Sequence, residues 1–242
     1  MMQIIMETFK RWRLPLVCFA WMFSLLGLLL RSGYKAFLVA NFLPVIVLAT
    51  AALAPMALFS LFRRNVPQFG IKEVLGTAIL LLPLVYIHHA KGTTLGAGAF
   101  ATRYVGSGIA NSGVVSPGQE TSNGDLTLLT LFMNPEKYDD REVTVVGMLM
   151  RDNPQVREIL GVKRPILFRF AINCCAADAV PLAIILENND IGALKDDDWI
   201  EVSGIFKIRK AAGQDLLVME NTTVVPAVQP ATPYLSMVWG YF

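Results

Sequence analysis

The chain has 242 residues, 54% of them hydrophobic and only 17% charged, with a mean hydropathy of +0.50. That composition lies outside the range of ordinary soluble domains, toward the membrane class. The near-neutral total of +2 hides a division, since residues 1–99 hold nine Lys or Arg against two acids and residues 100–242 hold twelve against seventeen. An acidic second half argues against a nucleic-acid partner, which asks for a basic surface with stacking aromatics.

Leu14–Leu30 (LPLVCFAWMFSLLGLLL) is uncharged over 17 residues, about 25 Å of helix, which suffices for a first membrane crossing. Lys10, Arg11 and Arg13 precede it as they would in a signal peptide. No small-x-small cleavage site follows, so the segment is expected to remain as a helix. Residues 36–62 form the longest apolar stretch, closed by Arg63 and Arg64, with a kink implied by Pro44 and Pro55. Val74–Ile87 is 14 residues and reaches across only with His88, His89 and Ala90 at the interface. Residues 1–90 therefore read as two to three transmembrane helices. With three crossings, Lys10, Arg11, Arg13, Arg63, Arg64 and Lys72 fall on one side and Arg31, Lys35 and Lys91 on the other. The positive-inside rule then puts the amino terminus in the cytoplasm and the second half outside. If the third segment does not cross, the second half returns to the cytoplasm.

Residues 91–124 are rich in Gly, Ser, Thr and Asn and read as a flexible linker. Residues 125–235 read as one folded domain. DLTLLTLFMNPE predicts a short helix capped by Asp125 and ended by Pro135. Runs at 143–150, 165–172, 180–186, 199–208 and 216–225 are β-branched or aromatic, and are bounded by Gly, Asn, Asp or Pro. A small helix is expected in NDIGALK, before the fourth run. Five strands with that insertion predict an all-β, OB-like barrel, and Gly147 and Gly204 fit the bends of such a closed sheet. Residues 236–242 close the sequence as an aromatic tail which, with Tyr234 before it and Trp239, Tyr241 and Phe242 within it, suits a membrane interface, a partner surface or packing onto the domain's own barrel.

Two of the three cysteines, Cys174 and Cys175, stand side by side, with Asp178 three residues on. Three readings stay open. The pair packs as small hydrophobes. It works as a redox pair, with a strained and reducible vicinal disulfide. Or two thiolates and Asp178 hold a metal, for which zinc suits the donor set and His88 or His89 would add nitrogen. Strand neighbours point to opposite faces, so the metal reading requires the chain to bend here. Asp178 also suits a turn ahead of Pro181, and Arg169 is expected to pair with an acidic neighbour.

The segments NPEKYDDREVTVVGMLMRD, FRFAINCCAADAVPLAIIL, DDDWIEVSGIF and PATPYL resemble the YcgQ-type family of bacterial permease-subunit proteins. The likeness covers about 125–235, and CCAADA is its most specific part. It implies a multi-pass protein of the bacterial cytoplasmic membrane that partners a multi-pass permease. The matched positions are Cys174, Cys175, Ala176, Ala177, Asp178, Pro181 and Trp199, without an assigned catalytic role. Some members carry a His-rich loop where this chain reads RRNVPQFGIKE.

No Ser-His-Asp order, phosphate loop or paired carboxylate frame is present in the sequence, so an enzyme is not expected. The expected function is a non-catalytic accessory subunit of a membrane transport assembly, with an extracytoplasmic β-barrel domain docked on its partner. The alternatives are a structural subunit of another large membrane complex, respiratory or photosynthetic, and a thiol-based redox or metal-binding membrane protein using Cys174 and Cys175.

Overall fold

A computed structural model describes residues 2–62, 71–89, 94–107, 126–151, 153–161, 163–187, 191–211 and 214–236. The chain divides into two compact units, Met1–Thr93 and Thr94–Phe242.

The first unit is helical: α1 (Met2–Leu30), α2 (Leu43–Phe62) and α3 (Ile71–His89), with two short 3-10 turns between α1 and α2. α2 and the turn before it form a continuous apolar stretch of 23 residues, Ala40–Phe62, with a mean hydropathy of 2.3. Among the described residues this is the one helix long and apolar enough to cross a membrane, whereas Leu14–Leu30 and Val74–Ile87 are shorter apolar helices. The hydroxyls of α2 are satisfied inside the helix, Thr50 donating to the Ile46 carbonyl at 2.8 Å and Ser60 to that of Ala57 at 2.6 Å. Trp21 of α1 donates its indole N–H to the Leu80 carbonyl of α3 at 3.1 Å.

The second unit is built on a six-stranded mixed sheet: β1 (Arg141–Met150), β2 (Ile166–Ile172), β3 (Val180–Leu186), β4 (Trp199–Ala211), β5 (Gln214–Pro226) and β6 (Leu235–Ser236). Its strand order is β1-β4-β5-β3-β2-β6, with a further antiparallel pairing of β1 with β2. β3 and β5 run parallel, as do β2 and β6, and the other neighbours are antiparallel. The pairing thus passes from β1 through β4, β5, β3 and β2 and returns to β1.

Two glycines make that return possible. β1 faces β4 from Arg141 to Met148 and β2 from Met148 to Met150. Gly147 sits at the exchange, where a Cβ would stand 2.9 Å from the Phe168 carbonyl and 2.9 Å from Leu167. Gly204 lies where the β4–β5 register shifts, and a Cβ there would meet the Glu220 carbonyl at 2.6 Å. Only a residue without a side chain lets the strands approach so closely.

Inside the ring lie Val143, Val145, Leu149, Leu167, Ala171, Ile184, Val202, Phe206 and Met219, all buried. α5 (Leu128–Met133) adds the buried Leu128 and Leu131 to this core. Its cap is Thr127, whose side chain accepts from the Thr130 N–H, while Asp125 lies outside the described residues. α5 stops at Met133, just before Asn134 and Pro135, as expected, and Pro135 also opens α6 (Pro135–Tyr138), because a proline lacks only an N–H that the first helical position leaves unused.

Three further elements differ from the sequence expectation. Within the stretch read as a flexible linker, residues 97–107 form α4 (Ala97–Ser107), and residues 108–124 lie outside the described set. The first N–H of α4 is taken by the Asp197 carboxylate, and its Phe100 is fully buried. No helix forms between β3 and β4 among the described residues, where 191–198 make successive turns. There the acidic triplet accepts backbone N–H groups: Asp198 closes the turn on the Lys195 N–H at 2.7 Å, while Asp196 takes the Arg151 N–H at the end of β1 at 2.7 Å. A helix forms instead between β1 and β2: α7 (Pro154–Leu160), capped by Asn153 and closed by Gly161 at φ 66°.

Candidate functional site

β2 is buried at every residue, so both of its faces are covered. Leu167 and Ala171 face the ring interior. On the opposite face Phe168 and Phe170 meet Phe100 of α4, with ring centroids 4.7 and 6.4 Å away, and Tyr104 stacks on Phe100 at 5.0 Å. This packing fixes α4 alongside the end of β2, where the cysteine loop begins.

The loop runs from Asn173 to Ala179 and turns through a 3-10 segment, Ala176–Asp178. The backbone leaves the strand at Ile172, which is the bend that two adjacent cysteines need in order to point the same way. The Sγ atoms of Cys174 and Cys175 are 3.6 Å apart and both thiols are free. Each cysteine is partly exposed, unlike Cys18, which is buried in the helical unit.

Asp178 organises the loop. Its Oδ1 accepts the Asn173 N–H at 3.1 Å and its Oδ2 the Cys174 N–H at 2.8 Å, while its own N–H donates to the Cys175 carbonyl at 3.1 Å. Burial alone would raise the Asp178 carboxyl, but the Cys174 thiol and these backbone N–H groups outweigh it and hold the pKa below the ordinary value. The reciprocal effect falls on Cys174, whose thiol is pushed up to about 12, chiefly by its hydrogen bond to Asp178 and next by that to Cys175. A thiol donating to a carboxylate keeps its proton.

Arg103 of α4 closes the loop from outside. Its guanidinium donates to three carbonyls in succession: Ala176 at 2.9 Å, Ala177 at 3.4 Å and Ala179 at 2.8 Å. The sequence reading passed over Arg103, because it sits 73 residues before its first partner, in a segment that resembles a linker by composition.

One ligand atom each from Cys174, Cys175 and Asp178 lie within 4.8 Å of one another, so the structure brings together the three residues proposed from sequence. For His88 and His89 the backbone ends α3, and their side chains lie outside the described residues, as does the aromatic tail beyond Ser236. Among the described residues Arg169 has no acidic partner. It shares the inward face of Leu167 and Ala171, donates to the carbonyls of Pro233 at 3.0 Å and Thr232 at 2.6 Å, and lies over the Trp199 ring at 5.5 Å.

In chemical terms the loop offers two soft sulfur donors and one hard oxygen, held by backbone bonds on one side and by an arginine on the other. Such a set can ligate a borderline-soft cation or undergo thiol chemistry. Residues 102–236 match the family model described as the DUF1980 C-terminal domain, a span that holds Arg103 and the whole cysteine loop. No curated protein and no solved structure matches the chain.

Proposed function

The chain belongs to the DUF1980 family, and from that premise we propose that it is a membrane-anchored, non-catalytic accessory subunit of a membrane transport assembly. The observation that carries this reading is the apolar exterior of the helical unit. Leu16, Phe23 and Leu30 on α1, Leu48, Phe59 and Phe62 on α2, and Leu75, Ile79 and Leu82 on α3 are all exposed. A surface so uniformly oily suits lipid and neighbouring helices, and water would not tolerate it. On this reading α1 and α3 cross the bilayer beside α2, as in the YcgQ-type proteins that the sequence resembles. With three crossings, the excess of Lys and Arg on one side supports a second unit outside the cytoplasm of a bacterial cell.

We read the second unit as an OB-like barrel. Its ring β1-β2-β3-β5-β4, with β3 parallel to β5, is consistent with the partly open five-stranded Greek-key design of that fold. It departs from the pattern in having turns in place of a helix at the described residues 191–198 between β3 and β4. The domain's partner on this reading is a multi-pass membrane protein such as a permease.

Isolation of the full chain with an affinity tag, from native membranes in mild detergent, tests the proposal. Recovery of a stoichiometric multi-pass transport protein supports it. Recovery of the chain alone, or with a respiratory or photosynthetic complex, overturns it.

A further inference from the structure

We infer that Cys174, Cys175 and Asp178 form a site for a soft divalent cation of the zinc class, with a fourth position left to an exchangeable ligand. Two thiolates on one tetrahedral zinc, at bond lengths of ~2.3 Å, stand roughly 3.8 Å apart. The two sulfurs here are already 3.6 Å apart, and the Asp178 carboxylate completes a group within 4.8 Å. The same separation is well beyond the ~2.05 Å of a disulfide. Packing does not explain the pair either, because both cysteines are partly exposed at a loop and neither belongs to the barrel core.

The supports around the three donors are those of a built metal site. Ligating carboxylates are oriented by outer hydrogen bonds, and Asp178 receives the N–H groups of Asn173 and Cys174 on its two oxygens. The ligand loop is pinned by the guanidinium of Arg103 on three carbonyls, which lowers the entropy lost when the ion binds. Binding forms two metal–sulfur bonds and one metal–oxygen bond, and the thiol protons go to solvent. The carboxylate exchanges a hydrogen bond from sulfur for the metal, and no electron moves. Closed structural zinc sites use four protein ligands. Three leave the ion open to exchange, which suits transfer better than permanent retention. The inference rests on the accessory-subunit reading in one respect alone: if the chain serves a transporter, the cation is the class of its cargo.

The full chain in detergent, stripped with a chelator, is titrated with Zn2+ against a chromophoric competitor and with Co2+ as a spectroscopic probe. The expected result is one equivalent bound with sub-micromolar affinity, and thiolate-to-cobalt charge transfer with the visible bands of a tetrahedral ion. The double variant Cys174→Ser/Cys175→Ser should lose at least 100-fold in affinity and all charge transfer. Asp178→Asn, which keeps an acceptor for the loop N–H groups, should lose about tenfold while retaining charge transfer. Circular dichroism checks that each variant is folded. Absence of charge transfer in the folded wild type, or zinc binding unchanged in the folded double-serine variant, overturns the site. If a transport partner still co-purifies with a chain that binds no metal, the cation inference falls and the subunit reading stands. If metal binds and no partner is recovered, the site stands and its link to transport falls.

Discussion

The guanidinium of Arg103 donates to the carbonyl of Ala179 across 2.8 Å of space and 76 residues of sequence. With its two companion bonds to Ala176 and Ala177, it ties α4 to the loop that carries both cysteines. Arg103→Gln removes a charged donor from three carbonyls that retain some access to water. The expected cost is about 1–3 kcal/mol, since charge-assisted hydrogen bonds contribute more than neutral ones but partial exposure returns some of it. Hydrogen exchange should show the amides of 174–179 opening faster while those of β4 and β5 stay protected. Unchanged exchange in the loop would mean that Asp178 alone holds it.

Cys174 and Asp178 predict each other's chemistry. With its thiol held up to about 12 by the carboxylate, Cys174 should react slowly with iodoacetamide at pH 8, because the thiolate is the nucleophile. Asp178→Asn removes that restraint, and mass spectrometry should show alkylation of Cys174 at least about tenfold faster, as its pKa moves toward the ordinary value near ~8.5. Equal rates in the two proteins would contradict the hydrogen bond.

The lowered pKa of Asp178 sets a pH dependence of definite sign. A carboxylate whose folded pKa lies below its unfolded value stabilises the fold above the unfolded value, near ~3.9, and that contribution vanishes as pH falls through the folded value. The loop should therefore keep its structure from neutrality down to about pH 4 and loosen below it, seen as rising mobility of the Asn173 and Cys174 amides by NMR. For metal the sign is the same, whereas a site with preformed thiolates would show no dependence on pH. Because Cys174 must give up its proton, zinc affinity should rise at least about tenfold per pH unit between pH 6 and 8. A flat profile would show that Cys174 is not a ligand.

Gly204 separates the closed ring from an open sheet by a single methyl group. Gly204→Ala would place a Cβ 2.6 Å from the Glu220 carbonyl, an atom of the β5 backbone that cannot rotate away. The strands must part or the bulge must move, at about 2–4 kcal/mol, comparable to the worse cases of overpacking. Gly98→Ala, on α4 with open space around it, should be neutral or slightly stabilising by thermal melting. Equal melting temperatures for the two variants would sink the close-approach account.

The strands were legible because each buries side chains against the ring in β-branched runs, and the expected 180–186 coincides with β3 while 199–208 falls three residues short of β4. The cysteine site was legible as three candidate ligands, because sulfur and carboxylate so close in sequence have few ways to avoid one another. What escaped the reading depends on distant contacts. α4 begins with small residues, Ala97 to Ala99, that signal no helix, and it is secured by Asp197 at its first turn and by Phe100 against Phe168. Neither partner is visible from residues 91–124. α7 did leave a local signal, Asn-Pro at its start and glycine at its end, which cap preferences alone would have found. Of the helix expected in NDIGALK, the described residues 191–195 form turns instead, and the carboxylates that follow bind backbone N–H groups, Asp198 that of Lys195 nearby and Asp196 and Asp197 those of Arg151 and Ala97 far along the chain.

Arg169 is the one charged side chain among the described buried residues. Burial lowers its pKa to about 10, so it remains charged at neutral pH. The charge is offset by the carbonyls of Thr232 and Pro233 and by the face of Trp199, which fastens the segment leading into β6 against β2. Arg169→Lys keeps the charge but loses the two-nitrogen fork, and Arg169→Met keeps the apolar stem and leaves two carbonyls without their donor. Both should release the segment after Pro226, with a loss of about 2–4 kcal/mol for the methionine variant. Limited proteolysis reads this directly: the variants should be cut after residue 226 while the ring β1–β5 survives. Wild-type resistance in Arg169→Met would mean that the β2–β6 pairing and the Tyr234 hydroxyl, which accepts the Leu95 N–H at 3.0 Å, hold the segment without the arginine.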